Sequence, residues 1–234
     1  MLSQEETLKL LRHGQITDLQ LSRLGSNYTF LVKVCDGSRQ CRAVYKPKEG
    51  EIPLWDFPSG TLYKREYAAY LFSQILGWDF IPLTIIRDGP YGIGSLQLFV
   101  EHDPRINYFS IRESDSECDA LRVIACFDLA ANNTDRKASH CIRGDDGKVW
   151  GIDHGLTFHS VVKVRTTIWD FAGEPIPDTL LNDLSACQEK LKNPTGRIRE
   201  LVRLLYEEEV ASLDQRIGWL LDIREYPGLG RRRR

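Results

Sequence analysis

The sequence predicts an α+β fold with a small, mainly β N-terminal lobe and a helical C-terminal lobe. Segments in which apolar and polar residues alternate, as on a half-buried strand, lie mostly before residue 101. Segments with apolar residues at helical spacing lie mostly after residue 113. Between them, His102-Asp103-Pro104 is a polar break that suits a hinge, so we place the lobes at 1–103 and 104–234.

Composition indicates a soluble globular protein of the cytoplasm. Hydrophobic residues make up 42% of the 234 residues and charged residues 27%, which is ordinary for a packed domain. The net charge is −2, and the Arg231–Arg234 run is too short to predict a nucleic-acid platform. The six cysteines show neither a Cys-x-x-Cys pair nor zinc-ligand spacing, which indicates free thiols in a reducing compartment. We find neither a secretory signal nor an apolar run long enough to span a membrane.

The first elements are a helix and two strands. Ser3 and Glu6 have the spacing of a capping box, and Gly14 ends the helix that they begin. Alternation predicts strands at 29–34 and 41–46, joined by an Asp-Gly turn. The small residues Gly25-Ser26-Asn27 precede the first strand. Their backbone N–H groups could cover phosphates, although this turn alone is more typical of an ordinary hairpin.

Two charged residues of this lobe have a second interpretation. Lys46 ends an apolar strand directly before Pro47, where it could reach a phosphate as a point charge or simply be a solvated strand end. Glu66 lies in the first turn of a helix predicted over 64–76. There it complements the helix dipole, or it pairs with Lys46 and orients it.

The rest of the chain alternates regular elements with long connections. An insert with Pro and Gly at 51–62 precedes the helix, and a long irregular segment at 156–178 contains Lys163 and Arg165. Such a loop in a compact domain is usually functional. The remaining predicted elements are strands at 81–86 and 94–101 and helices at 114–129, 178–192 and 196–223.

The stretch from Asp128 to Gly155 has the layout that phosphoryl transfer needs. Asp135 lies in a polar loop, His140 follows five residues later, and Asp153 comes after a short predicted β-hairpin. One carboxylate can meet the proton of a nucleophile while the second holds a metal ion on nucleotide phosphates. Asp135 alone would more often be part of a surface turn, and only the ordered set of residues favours phosphoryl transfer.

These parts, in this order, resemble the phosphatidylinositol 3/4-kinase-like superfamily, especially its type II phosphatidylinositol 4-kinase branch and small uncharacterised bacterial relatives. The resemblance covers residues 20–160. Its motifs are Gly25-Ser26-Asn27-Tyr28, Tyr45-Lys46-Pro47-Lys48, Glu66, Gly94–Glu101, Asn133-Thr134-Asp135-Arg136 and Ile152-Asp153-His154-Gly155.

The resemblance implies a two-lobed protein-kinase-like fold that binds ATP with Mg²⁺ or Mn²⁺. Lys46 would contact the α- and β-phosphates, oriented by Glu66. The phosphate loop would be Gly25, Ser26 and Asn27, and the adenine would lie against the hinge strand at Gln97, Leu98, Phe99 and Val100. Asp135 would be the catalytic carboxylate, with Arg136 supporting its loop, and Asp153 would hold the metal.

His140 departs from the family pattern, which places an asparagine at this position. A neutral imidazole suits Mn²⁺ or Zn²⁺ better than Mg²⁺, which prefers oxygen ligands. His140 therefore either binds metal, shifts the metal preference towards Mn²⁺, or marks weakened catalysis.

Three functions follow from this sequence. The first is a kinase that transfers the γ-phosphate of ATP to a hydroxyl of a protein or small soluble alcohol, with a lipid acceptor disfavoured because neither an amphipathic membrane helix nor a polybasic surface stands out. The second is a pseudokinase that binds nucleotide without turnover. The third is an AMP transferase on the same fold.

Overall fold

The computed structural model describes residues 2–22 and 27–228. The predicted phosphate-loop residues Gly25 and Ser26, and the basic run Arg231–Arg234, lie outside the described residues.

The N-terminal part is a five-stranded antiparallel sheet with two helices. The strands have the order β1-β2-β3-β5-β4. They are β1 (Gln15–Ser22), β2 (Thr29–Asp36), β3 (Arg39–Pro47), β4 (Thr84–Gly89) and β5 (Gly92–Leu98), with helices α1 (Gln4–His13) and α2 (Leu62–Leu76). The sheet buries Val32, Val34 and Ala43 against Leu10 and Leu11 of α1, because inward-facing residues alternate along each strand.

The C-terminal part is mainly helical and carries a second, three-stranded antiparallel sheet of order β6-β7-β8. Its elements are β6 (His102–Asn107), β7 (Cys141–Gly144), β8 (Val149–Gly151), α3 (Tyr108–Ile111), α4 (Asp115–Ala130), α5 (Asp178–Lys192), α6 (Gly196–Leu204) and α7 (Glu207–Ile223). The α+β class predicted from the sequence is confirmed.

Helix α2 belongs to the larger of the two hydrophobic cores. Phe72 is fully buried and its ring lies 5.5 Å from Phe127 of α4 and 5.9 Å from Phe158. Burying one such side chain stabilises the fold by roughly 1.5–3 kcal/mol. The helix ends at Gly77, whose φ of 73° is a left-handed conformation that favours glycine. Helix α2 is thereby fixed against the C-terminal part, together with its charged residues.

Four predicted boundaries need correction. The sequence pattern missed β1, and the strand predicted to reach residue 101 ends at Leu98. The polar residues at 102–104 begin β6 instead of forming a break. Pro104 is tolerated there because β6 lies at the edge of its sheet, where a missing N–H costs little. The single helix predicted over 196–223 is two helices, α6 and α7.

The predicted hairpin before Asp153 is confirmed as β7 and β8, which pair through Cys141 and Gly151. The long segment after it also agrees with expectation. From residue 152 to 177, all of it described, the chain forms only isolated bridges such as that between Pro175 and Glu225. Within residues 2–22 and 27–228, no helix has the length and apolar character required to cross a membrane.

Candidate active site

Lys46 lies between two carboxylates that come from different parts of the chain. Its Nζ donates to Glu66 Oε1 of α2 and, across 2.8 Å, to Asp153 Oδ1 in the loop after β8. The Glu66 side chain is buried, whereas that of Asp153 is 51% exposed. The structure therefore brings together the three charged residues that the sequence proposed for nucleotide and metal binding, with the Asp153 carboxylate accessible to a ligand.

Glu66 also fixes the backbone after Asp153. Its Oε2 accepts a hydrogen bond from the His154 amide at 2.9 Å. A side chain at Gly155 would bring its Cβ to 3.3 Å from Glu66 Oε1, which is tighter than ordinary contact. Asp153 itself has a φ of 60°, a conformation that aspartate tolerates better than most residues. The Asp-x-Gly pattern thus matches a loop that packs directly against the glutamate.

The charges of this cluster depend on one another. Lys46 holds the pKa of Asp153 well below its usual range, although burial acts in the opposite direction. Burial alone would lower the pKa of Lys46, but Asp153 and Glu66 raise it. Burial raises the pKa of Glu66, and Lys46 opposes that shift. Asp153 therefore stays ionised at neutral pH and remains a suitable ligand for a cation.

The loop that carries Asp135 is anchored to the protein interior by a buried ion pair. Arg136 pairs with Asp128 of α4 at 2.9 Å, and both side chains are fully buried. The Arg136 guanidinium also donates to the Ile152 carbonyl at 3.0 Å and contacts His154 Nε2 at 2.7 Å. Arg136 thus joins the Asp135 loop to the Asp153 loop from the interior, which fits the supporting role implied for it.

Asp135 itself faces the surface. Its backbone N–H donates to Asn133 Oδ1 at 3.1 Å, and the side-chain Nδ2 of Asn133 donates to Asp128 Oδ1 at 2.9 Å. The Asp135 side chain is 38% exposed and pairs with Lys137 Nζ at 2.8 Å. The sequence interpretation missed Lys137, although its position two residues after Asp135 was a usable signal.

His140 lies beside Asp153, where its Nε2 is 3.5 Å from Asp153 Oδ2. Burial lowers the pKa of His140, with Asp153 opposing, so the imidazole is neutral at pH 7 and has a lone pair for a metal. Among the described residues no group of three or more His, Cys, Asp or Glu side chains is arranged to hold a metal ion. A metal that is carried by nucleotide phosphates needs only one or two protein ligands, and the Asp153–His140 pair fits that case.

The segment after the Asp-x-Gly residues is fastened to the Asp135 loop by Asn132. The Asn132 Nδ2 donates to the carbonyls of His159 at 2.7 Å and Val161 at 2.8 Å. Its Oδ1 accepts from the Lys163 amide at 2.8 Å. Asn132 is fully buried and has a φ of 50°. The sequence interpretation missed this role because nothing in the local pattern links residue 132 to residues 159–163.

The insert before α2 clamps the same segment from the other side. Asp56 forms an ion pair with Lys163, and its carboxylate lies 3.8 Å from His159 Nε2. The Lys163 ammonium also lies 4.5 Å from the centre of the Trp55 ring. Next to this clamp is an open cleft of about 320 Å³. The N-terminal insert and the segment at 159–163 therefore form one continuous wall.

The predicted hinge comprises the last two residues of β5, Gln97 and Leu98, and the two residues that follow it, Phe99 and Val100. Gln97 is buried and donates to Thr84 Oγ1 at 2.9 Å. The backbone N–H groups of Leu98 and Phe99 donate to the carbonyls of Leu83 at 2.8 Å and Arg42 at 3.0 Å. Both amides are therefore already used within the protein, as is the Val100 carbonyl, which His102 Nδ1 contacts at 2.7 Å.

Asn27 is the one predicted phosphate-loop residue that is described. Its Oδ1 accepts from the Ile52 amide at 2.7 Å, so its side chain anchors the insert that begins after β3. Gly25 and Ser26 stay sequence-based predictions.

Comparison with known proteins identifies a relative in Mycobacterium tuberculosis. Protein Rv2133c is 40% identical over 252 residues, an alignment that covers 94% of this chain and 90% of that protein. No family model matches the chain.

Solved structures with a similar fold include two kinases and a Fam20 protein. A Golgi casein kinase with Mn and ADP bound has a TM-score of 0.58 at 14% identity, covering 93% of this chain and 74% of that one. A hydra Fam20 with sugar has a TM-score of 0.54 at 16% identity, and the match covers 93% of this chain and 87% of that one. The Helicobacter pylori proinflammatory kinase CtkA has a TM-score of 0.51 at 12% identity, and the match covers 92% of this chain and 94% of that one. At these identities the likeness shows a protein-kinase-like fold.

Proposed function

The chain belongs to the same family as the mycobacterial protein Rv2133c, and we propose that it is an ATP-dependent kinase that phosphorylates a hydroxyl group. The observation that carries this proposal is the contact of Lys46 with both Glu66 and Asp153. Three residues far apart in sequence would have no reason to meet in an unrelated α+β binding protein. Their meeting beside the Asp135 loop matches the division of labour in phosphoryl transfer.

The nucleotide would bind between the sheet of the N-terminal part and the two loops of the C-terminal part. Lys46 would bind the phosphates, and Glu66 would orient it. We assign the adenine to the hinge at 97–100. Because the Leu98 and Phe99 amides are used internally, the donor to the base would be the Val100 N–H, which has no acceptor within the described residues. Gly25, Ser26 and Asn27 remain our candidates for the phosphate loop.

Asp135 would act on the acceptor. Its carboxylate is exposed enough to accept the proton of a hydroxyl, and Asn133 fixes the backbone that carries it. The acceptor oxygen would bond to the γ-phosphorus as the bond to the leaving ADP oxygen breaks, and the proton would pass to Asp135. Arg136 would keep the loop in place from the interior.

Asp153 and His140 would hold Mg²⁺ or Mn²⁺. A divalent ion bound with ATP would neutralise charge on the transferring phosphoryl group. The neutral state of His140 and the ionised state of Asp153 both favour such a ligand pair. The imidazole nitrogen supports a preference for Mn²⁺ over Mg²⁺.

Three finer assignments rest on the sequence motifs. We propose that the chain is related to the phosphatidylinositol 3/4-kinase-like superfamily, that its lobes divide between residues 103 and 104, near the start of β6, and that it works in the cytoplasm on a protein or small soluble acceptor. The kinase fold of its structural neighbours supports the first of these in outline.

The test is calorimetric titration of the protein with ATP in the presence of Mg²⁺ and, separately, Mn²⁺. Metal-dependent binding is expected in the wild type and should be lost in Asp153→Ala. Asp135→Asn should bind ATP like the wild type but should transfer no phosphate. Equal loss of binding in both variants would contradict these roles, and absence of binding with either metal would remove the kinase function. Product analysis separates a kinase, which releases ADP, from an AMP transferase.

A further inference from the structure

The acceptor side of the site is formed by two chain segments that run side by side. The Arg165 amide donates to the Asn133 carbonyl and the Arg136 amide donates to the Arg165 carbonyl, both at 2.9 Å. The Thr167 amide donates to the Arg136 carbonyl at 3.1 Å. Arg136 and Thr166 thereby form a parallel bridge. Residues 165–167 are fixed against the Asp135 loop by backbone bonds, independently of their side chains.

The bridge determines which side chains face the solvent. Arg136 and Thr166 both point inwards, because each bonds Asp128, at 2.9 Å and 3.0 Å. Side chains alternate along paired extended segments, so the flanking residues face the opposite way. Lys137, Arg165 and Thr167 are exposed and Asp135 is partly exposed, as this alternation requires. The face around the proposed catalytic carboxylate consists of Asp135, Lys137, Arg165 and Thr167.

Two of these four residues are cations, in a chain whose net charge is −2. Lys137 neutralises Asp135 through their 2.8 Å ion pair. Arg165 has no carboxylate partner among residues 2–22 and 27–228. The Asp135 carboxylate would repel an incoming anion, but the Lys137 contact cancels that charge and leaves the Arg165 guanidinium as the net charge of the face.

We infer that the acceptor carries a carboxylate or phosphate group close to the hydroxyl that is phosphorylated, and that Arg165 binds this group. A guanidinium presents a planar set of donors that matches a carboxylate or phosphate in a bidentate contact. The backbone bonds of residue 165 fix the point from which this side chain extends beside the Asp135 loop, so that an anion bound by the guanidinium would lie close to the reacting hydroxyl. This inference rests on the proposed kinase function and adds a substrate class to it.

The experiment measures phosphate transfer from radiolabelled ATP to two series of probes. The first series is three peptide pools with a central Ser, Thr or Tyr flanked by Asp and Glu, by Ala, or by Lys and Arg. The second is a hexose phosphate and the same hexose without phosphate. The two series distinguish an acidic peptide from a phosphorylated small molecule as the source of the anion. Wild type, Arg165→Ala, Arg165→Glu and the control Arg203→Glu, an exposed arginine on α6, are compared.

The expected result is transfer to an anionic probe at least about tenfold faster than to its neutral counterpart. Arg165→Ala should remove this preference, Arg165→Glu should reverse it, and Arg203→Glu should retain it. ATP affinity should be the same in all four proteins.

The inference is overturned if neutral or basic probes react as fast as anionic ones, or if Arg165→Glu keeps the wild-type preference. ATP binding without transfer to any anionic probe also counts against it. If the wild type did not bind ATP at all, the proposed function itself would be overturned, so the two failures are distinguishable.

Discussion

Lys46 donates to Asp153 across 2.8 Å and thereby joins β3 of the N-terminal sheet to the loop that follows β8. The contact is supported by Glu66, which bonds both the Lys46 ammonium and the backbone N–H of His154. Glu66 therefore has two separable functions. One is electrostatic, because it sets the charge around Lys46, and the other is structural, because it satisfies a buried amide.

Two substitutions of Glu66 should separate these functions. Glu66→Gln keeps an oxygen that can accept from the His154 amide but removes the charge that orients Lys46. We expect ATP affinity to fall about tenfold, which corresponds to about 1.4 kcal/mol, with little change in the melting temperature. Glu66→Ala should also leave the amide unsatisfied and lower the free energy of unfolding by about 1–3 kcal/mol. Calorimetry and urea unfolding measure the two effects, and equal stability of both variants would contradict this division.

The Arg136–Asp128 pair should be among the costliest contacts to break. Both side chains are fully buried, so removal of one partner leaves an uncompensated charge in the interior. We expect Arg136→Leu or Asp128→Leu to lower the free energy of unfolding by about 3–5 kcal/mol in urea titrations.

A matched control for this prediction is the exposed pair of Arg105 with Asp103 at 2.6 Å on β6. Arg105→Ala should leave the urea midpoint unchanged, since solvent screens such pairs. If Arg136→Leu were as stable as Arg105→Ala, the Asp135 loop would not depend on its buried support.

The clamp between Asp56 and Lys163 should weaken in acid. The hydrogen bond from Lys163 lowers the pKa of Asp56 below its ordinary value of 3.8. A carboxyl group whose pKa is depressed by folding contributes stability that is present above the unfolded pKa and is lost as the pH falls through the folded value. The stability difference between wild type and Asp56→Asn should therefore be constant from pH 7 to 5, should begin to fall as the pH approaches 3.8, and should vanish only below the lowered pKa of Asp56 in the folded protein.

Urea unfolding of both proteins across this pH range measures the difference. The control is Asp145→Asn, an exposed aspartate with no ion pair among the described residues. A wild-type advantage over Asp56→Asn that persisted at the lowest pH would show that the clamp does not depend on the charge of Asp56.

The elements that sequence could predict are those specified by neighbouring residues. Ser3 and Glu6 form the expected capping box, with the Ser3 amide donating to Glu6 at 2.8 Å. Gly77 ends α2 in the conformation that glycine favours. Lys46, Glu66 and Asp153 were identifiable because each stands at a fixed place in a recurring order of strand, helix and hairpin. Local chemistry and motif order were sufficient for these features.

The features that sequence missed depend on partners far along the chain. The break between α6 and α7 has no Gly or Pro to mark it. It is set by Glu209, which accepts from the Tyr206 amide at 2.9 Å and pairs with the buried Arg65 of α2. The Asn132 contacts with residues 159–163 and the Asp56 clamp on Lys163 likewise appear only after folding. The wall that the insert forms with residues 159–163 was therefore predicted only as irregular segments, without the contacts that hold them together.

The Asn132 side chain should keep residues 159–163 ordered without affecting nucleotide binding. Its side chain makes three hydrogen bonds to the backbone of residues 159–163, and its own φ of 50° suits glycine. Asn132→Gly therefore keeps the backbone conformation and removes only the side-chain bonds. We expect the Lys163 amide to exchange with solvent at least about tenfold faster, because its acceptor is lost.

Hydrogen exchange followed by mass spectrometry measures this change, and the Phe158 amide provides an internal control. That amide donates to the Ala131 carbonyl at 2.6 Å, a backbone bond that the substitution leaves intact. ATP affinity should stay at the wild-type value, whereas transfer to an acceptor should slow, since the released residues 159–163 lead directly into the segment that carries Arg165. Unchanged exchange at Lys163 would mean that the Asp56 clamp alone orders the wall. A parallel loss of ATP affinity would mean that residue 132 also supports the nucleotide site.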